Sequence, residues 1–240
     1  MKLLSIGAIL GAMLAMPALA ADLPKKAPVA NPLFTGYPYT SSGFYWGLNT
    51  IAGGGSVEAS GPGINPNSVT SVQGAIGGTV GYVWASQNVF YAVEAMFDVQ
   101  NFNGTGSGFN MTGPAAFEQR FKIGTPLSNF LSLFPNLGLP TVPPFPALPN
   151  GVTATNVHPY LMAGLHEDDI SINVGQANNT AWSFAPSVGA GMMGQLTNGV
   201  AIDVWAETVF QSQAVCAGVT AGNVCGTAGQ KVLVGLGLYY

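Results

Sequence analysis

Seven charged residues stand at alternate positions within otherwise apolar stretches. They are Glu94 and Asp98, then Glu118, Arg120 and Lys122, then Asp203 and Glu207. Acids and bases interleaved in this way can line an ion path or gate it. The same set can also fill a narrow interior as a salt-bridge network. His158 and His166 share one parity with Tyr160 between them. A hydrolase would pair a histidine with a serine or an acid, and Ser183, Ser187 and the run Glu167-Asp168-Asp169 supply those residue types. The spacing does not bring the two histidines together, since eight residues along a strand span ~27 Å. No metal or haem site, no cofactor and no catalytic residue is therefore expected. Glu167-Asp168-Asp169 reads as an acidic loop tip, solvated or touching a divalent cation. Cys216 and Cys225 read as one disulfide, whose short closed loop contributes roughly 2–3 kcal/mol by chain entropy. A redox thiol would need a basic setting, and no Lys or Arg lies between Lys122 and Lys231.

The elements that hold these residues are strands. Only 7% of the chain is charged, against about a quarter in ordinary globules, while 33 glycines dilute a high apolar content. Met1-Lys2 followed by the apolar run Leu3 to Met16 and by Pro17-Ala18-Leu19-Ala20 has the form of a secretory signal peptide over 1–20. No second apolar run is long enough for a spanning helix. A secreted β-sandwich would carry more charge on its exposed faces. The slight net negative charge and the lack of any basic stripe exclude nucleic acid as a partner.

Eight segments of strand length alternate with period two: 43–53, 70–84, 88–101, 115–124, 155–166, 180–194, 199–211 and 229–240. In 88–101, Val89, Tyr91, Val93, Phe97 and Val99 oppose Glu94, Asp98 and Gln100. In 115–124, Phe117, Phe121 and Ile123 oppose Glu118, Arg120 and Lys122. In 199–211, Val200, Ile202, Val204 and Phe210 oppose Asp203 and Glu207, with Trp205 on the charged side. Such sorting requires one lipid-facing and one interior face, because Arg or Lys facing mid-bilayer lipid costs about 2–4 kcal/mol. Unpaired strand edges are barred from hydrocarbon, so the sheet must close on itself. The expected fold is all-β, a closed antiparallel transmembrane β-barrel of eight strands.

An eight-stranded barrel has an interior just wide enough for side chains, which favours a filled lumen over a channel. Residues 21–42 read as a Pro/Gly-rich periplasmic lead-in and 43–240 as the barrel. Connectors 54–69, 102–114, 167–179 and 212–228 are expected as outward loops, with 85–87 and 195–198 as short inward turns. The insert 125–154 holds seven prolines and no charge, which bars a central strand there. Tyr82, Trp84, Tyr91, Trp182, Tyr239 and Tyr240 are candidates for aromatic girdles at the lipid–water boundary. Trp205 is expected to point inward and give its indole N–H to an acceptor.

Both ends of the chain carry a resemblance. Ala20-Ala21-Asp22-Leu23-Pro24-Lys25-Lys26-Ala27-Pro28, then Ser42-Gly43-Phe44-Tyr45-Trp46-Gly47-Leu48-Asn49, resembles the start of the small alphaproteobacterial outer-membrane barrels. That group is an opacity-related "porin family". The closing Val232-Leu233-Val234-Gly235-Leu236-Gly237-Leu238-Tyr239-Tyr240 is similar to its final strand, with Tyr240 where the family usually has Phe. The resemblance implies a Gram-negative outer-membrane location, contacts with lipid and lipopolysaccharide, and adhesin or ligand-binding roles toward host or envelope surfaces. It also implies that Leu236, Leu238 and Tyr240 are the signal read by the barrel-assembly machinery. The functional expectation is a non-enzymatic structural or surface-interaction barrel. The alternatives are a small-solute porin, cued by five lumen carboxylates against Arg120, Lys122 and Lys231, and a barrel-type lipid hydrolase.

Overall fold

The computed structural model describes residues 42–86, 88–133, 157–195, 200–211, 214–220 and 222–240. The expected signal peptide, all but the last residue of the lead-in, and residues 134–154 of the proline-rich insert lie outside them. Nine strands form one antiparallel sheet: β1 Gly43–Gly61, β2 Ile64–Ala85, β3 Phe90–Gly106, β4 Phe109–Gly124, β5 Val157–Val174, β6 Ala177–Gln195, β7 Ala201–Val209, β8 Ala214–Val219 and β9 Gly222–Tyr239. A helix of one and a half turns, Leu127–Ser132, follows β4. Neighbours in sequence pair from β1 to β7 and from β8 to β9, and β9 returns to β1 from Gly47↔Tyr239 to Ser60↔Cys225. Strands β7 and β8 both lie along β9, at Val209↔Lys231 and Ala214↔Thr227, so they are two parts of one stave. The ring therefore has eight staves.

The strands are longer than expected. Strands β1 to β6 and β9 run 16 to 22 residues, whereas about 9–11 suffice to cross a bilayer. Most of what reads as outward loop at 54–69, 102–114, 167–179 and 212–228 is strand. The chain reverses tightly, at Pro62-Gly63 for example, where proline fixes the first corner and Gly63 takes φ +76°. The physical reason is that the rule of alternation reverses above the bilayer. Near the rim that carries the chain ends, Leu48, Ile76, Val80, Leu161, Val234 and Leu236 point outward and are exposed. Toward the opposite, distal rim the outward positions are Asn101, Asn103, Thr105, Asn178 and Thr180, while Phe102, Met111, Ile170 and Ile172 turn inward and are buried. One half of the wall is thus apolar outside and the other apolar inside.

Register irregularities mark the change. They fall between Gly55 and Val57 in β1, between Val99 and Phe102 in β3, and between Thr112 and Ala115 in β4. The break between β7 and β8 comes at the same height along β9. Pro114 sits at the β4 irregularity, where an absent N–H costs no ladder bond. Bulges of this kind re-aim side chains and sharpen twist, which lets one strand serve two surroundings.

The interior is layered accordingly. At the terminal rim Tyr45, Phe90, Tyr160, Trp205 and Tyr239 pack together, with Tyr45 edge-on to Tyr239 at 5.6 Å. Gly235 makes this possible, because a Cβ there would collide with the Trp205 ring. The distal half holds a separate apolar core that includes Val57, Phe102, Phe109, Met111, Ile172 and Val224. The charged residues lie between these two layers.

Candidate functional site

Strand β4 sets the charged layer, since Glu118, Arg120 and Lys122 alternate with Phe117, Gln119 and Phe121 and so share its inner face. Lys122 Nζ meets Glu94 Oε1 of β3 at 2.7 Å and Asp203 Oδ2 of β7 at 2.8 Å. Tyr45 donates to Glu94 at 2.6 Å and Tyr160 to Asp203 at 2.7 Å. The Tyr160 ring lies 4.7 Å from the Lys122 ammonium. Arg120 Nη2 bridges Glu118 Oε2 at 2.7 Å and Glu207 Oε1 at 2.6 Å, with its guanidinium 4.7 Å over the Trp205 ring. Ser187 donates to Glu118 at 3.1 Å. Asp98 is held by Asn49, which also accepts from Thr79 at 3.1 Å. All of these groups are buried.

Every charged residue expected in the lumen is therefore on the interior face, and the structure adds pairings that register alone does not give. Glu94 stands directly across from Arg120 in the β3–β4 ladder, yet its ion pair is with Lys122. Sequence parity suggests Glu94 or Asp98 as the Arg120 partner. The partners are Glu118 and Glu207, because the long guanidinium side chain crosses the lumen instead of lying along the ladder. Trp205 points inward as expected, but its indole N–H has no hydrogen bond and the ring face takes the Arg120 cation instead. Tyr239, a candidate for the outer girdle, is inside.

The run Glu167-Asp168-Asp169 is not a loop tip. It continues β5, and Asp168 is buried as the centre of a third cluster. Lys231 Nζ lies 2.6 Å from Asp168 Oδ2, Gln100 donates to Oδ1 at 2.9 Å, and Gln211 also donates. His166 Nε2 lies 3.1 Å from Asp168 Oδ1, and His166 Nδ1 lies 3.5 Å from Glu118 Oε2. Sequence reasoning missed Asp168, although it keeps the inward parity of His158 and His166. His158 lies apart, with its ring 6.1 Å from that of Phe90 near the terminal rim. Ser183 and Ser187 are buried on the inner face of β6. Cys216 and Cys225 are bonded as cross-strand partners in the β8–β9 hairpin rather than within a loop.

Outside, aromatic rings belt the terminal rim. Phe44 meets Tyr82 at 4.8 Å, Tyr82 meets Trp84 at 4.7 Å, and Trp46 stacks on Tyr240 at 5.9 Å. Rings with an apolar body and a polar edge occupy the lipid–water boundary in this way. Leu236, Leu238 and Tyr240 form the outward row of β9 beside β1. A ring closed through β1 to β7 and β9 along its apolar half, with its charges turned inward, satisfies what a bilayer demands of strands. The chain is a transmembrane β-barrel.

No family model matches the chain, and no curated protein does. Among solved structures it is similar to Ail, the attachment invasion locus protein of Yersinia pestis, at 9% identity and TM-score 0.38 over 82% of this chain and 98% of that one. It is similar to Neisserial surface protein A at 15% identity and TM-score 0.37, over 81% and 95%. It is also similar to the outer membrane protein OprG from Pseudomonas aeruginosa at 7% identity and TM-score 0.45, over 84% and 97%. What the site can do follows from this chain's own residues. Its acids are paired to Arg120, Lys122 and Lys231 between two packed layers, an arrangement that fixes strands in place.

Proposed function

We propose that this protein is a non-enzymatic barrel that acts through the wall it raises above the outer leaflet, as a structural or surface-interaction element, and not through its lumen. The observation that carries this reading is the filled interior, with aromatic rings at one end, paired charges in the middle and an apolar core at the other. The distal wall offers water a face of Asn, Thr and Ser, suited to contact with lipopolysaccharide, host or envelope surfaces. The resemblance at both chain ends to the opacity-related alphaproteobacterial barrels supports the same reading. So does the leader-like 1–20, whose removal leaves a periplasmic lead-in over 21–42. A lipid hydrolase has less support, because His158, His166, Ser183 and Ser187 face the interior, away from lipid.

Planar-bilayer recording tests the proposal. The purified, folded barrel is expected to leave the baseline current unchanged, since ions have no continuous aqueous path past the distal core. Stable, reproducible openings with cation preference would overturn it and make the acid-rich lumen a pore for small solutes.

A further inference from the structure

The lumen charges do not balance. Among the described residues, six carboxylates are buried there (Glu94, Asp98, Glu118, Asp168, Asp203 and Glu207) against three cations, Arg120, Lys122 and Lys231. Lys122 is shared by Glu94 and Asp203. The other four acids share Arg120 and Lys231, with His166 placed between Glu118 and Asp168. Unpaired charge in a dry interior costs several kcal/mol per ion, which makes such a site a trap for a cation.

One point among these four acids is built to take it. Glu118 of β4, His166 of β5 and Glu207 of β7 each offer a ligand atom, and the three atoms lie within 4.8 Å of one another. Donors about 2.0–2.2 Å from one metal ion stand at most about 4.4 Å apart, so these three need draw in only slightly to share an ion. Two atoms at this point, His166 Nδ1 and Glu207 Oε2, are buried without a hydrogen bond, while Glu118 Oε2 is held by Arg120. Arg120 bonds the other oxygen of Glu207 and lies 2.7 Å from Glu118 Oε2, so it braces both acids without occupying Glu207 Oε2. Behind the imidazole, Nε2 faces Asp168 Oδ1 at 3.1 Å, and Asp168 is anchored by Lys231. A carboxylate behind a histidine fixes the ring and leaves its other nitrogen free for a metal.

We propose that Glu118, His166 and Glu207 bind one divalent transition metal ion, of the Zn2+ type, inside the barrel. An imidazole with two carboxylates suits such an ion better than the all-oxygen shells that Ca2+ and Mg2+ favour. The ion enters while the strands close, because both ends of the finished lumen are packed, and it serves as a structural counter-ion. This inference rests on the closed lumen proposed above.

The test refolds the full chain into detergent with Zn2+ or with a chelator, desalts it, and counts metal by mass spectrometry. Unheated gel mobility identifies the folded fraction. About one Zn2+ per folded chain is expected, held against chelator and accompanied by a higher melting temperature. His166→Ala and Glu207→Gln are each expected to lower the bound metal by roughly tenfold or more. Glu58→Gln, on the outer face, is expected to leave it unchanged. If His166→Ala does not fold, Co2+ in the wild-type chain gives a second reading, through visible absorption that reports nitrogen and oxygen ligands. Folded wild-type protein free of metal, or metal content indifferent to both substitutions, would overturn the site while leaving the closed lumen intact. An ion that binds but leaves the folded barrel readily would support the site and count against closure.

Discussion

Replacing Arg120 by methionine lowers the unfolding free energy of the lipid-embedded barrel by about 3–5 kcal/mol, the usual loss when one partner of a buried pair is removed. Methionine keeps much of the volume, so the change isolates the charge. Glu118 and Glu207 would be left facing each other without the guanidinium that now lies 2.7 and 2.6 Å from them. The Trp205 ring would lose its cation as well. Denaturant titration followed by unheated gel mobility measures the effect. Adding Glu207→Gln is expected to recover part of the loss, because it removes one stranded charge. Adding Glu94→Gln is expected to deepen it, because Glu94 belongs to Lys122. A silent Arg120→Met would mean that water already solvates the guanidinium.

Deletion of Tyr239 and Tyr240 abolishes the folded form. The seam between first and last strands is tied at this end by Tyr240 N–H to Trp46 O at 2.8 Å and Trp46 N–H to Tyr240 O at 3.1 Å. Inside, Tyr239 packs against Tyr45 and fills the space left by Gly47 and Gly237. Outside, Tyr240 stacks on Trp46. Without these contacts the β1–β9 seam frays where it enters the bilayer, and open strand edges have no partners in hydrocarbon. The truncated chain is expected to accumulate as a protease-sensitive species that lacks the fast-migrating unheated band. Normal yield of that band would show that closure is secured elsewhere along the seam.

The bilayer-embedded half of the fold was legible in the sequence because lipid imposes one rule on it. Val93, Phe97 and Val99 must face out while Glu94 and Asp98 face in, and a period of two follows. The distal half was not legible by the same rule, since water there accepts Asn101, Asn103 and Thr105 on the outside. Phe102 and Met111 turn inward, and the pattern reads as loop to any search for an apolar outer face. Asp168 was lost for this reason, as part of an acidic run taken for a tip. Which acid serves Arg120 was hidden for another. Register places Glu94 across the ladder, but the partners chosen depend on the width of the lumen and on side-chain reach, which no spacing in the chain records. The grouping of Glu118, His166 and Glu207 is likewise a product of closure, because three different strands bring it together.

Carbodiimide labelling of carboxylates in the folded barrel, reconstituted in lipid vesicles and read by peptide mass spectrometry, addresses the central claim most directly. That claim is a lumen whose charges are paired and shut away from water. Glu58, exposed on the outer face of β1, is expected to react in the folded state. Glu94, Glu118, Asp203 and Glu207 are expected to stay unmodified until the sample is boiled, then to react as Glu58 does. Labelling of those four acids in the folded barrel at the rate of Glu58 would contradict the account.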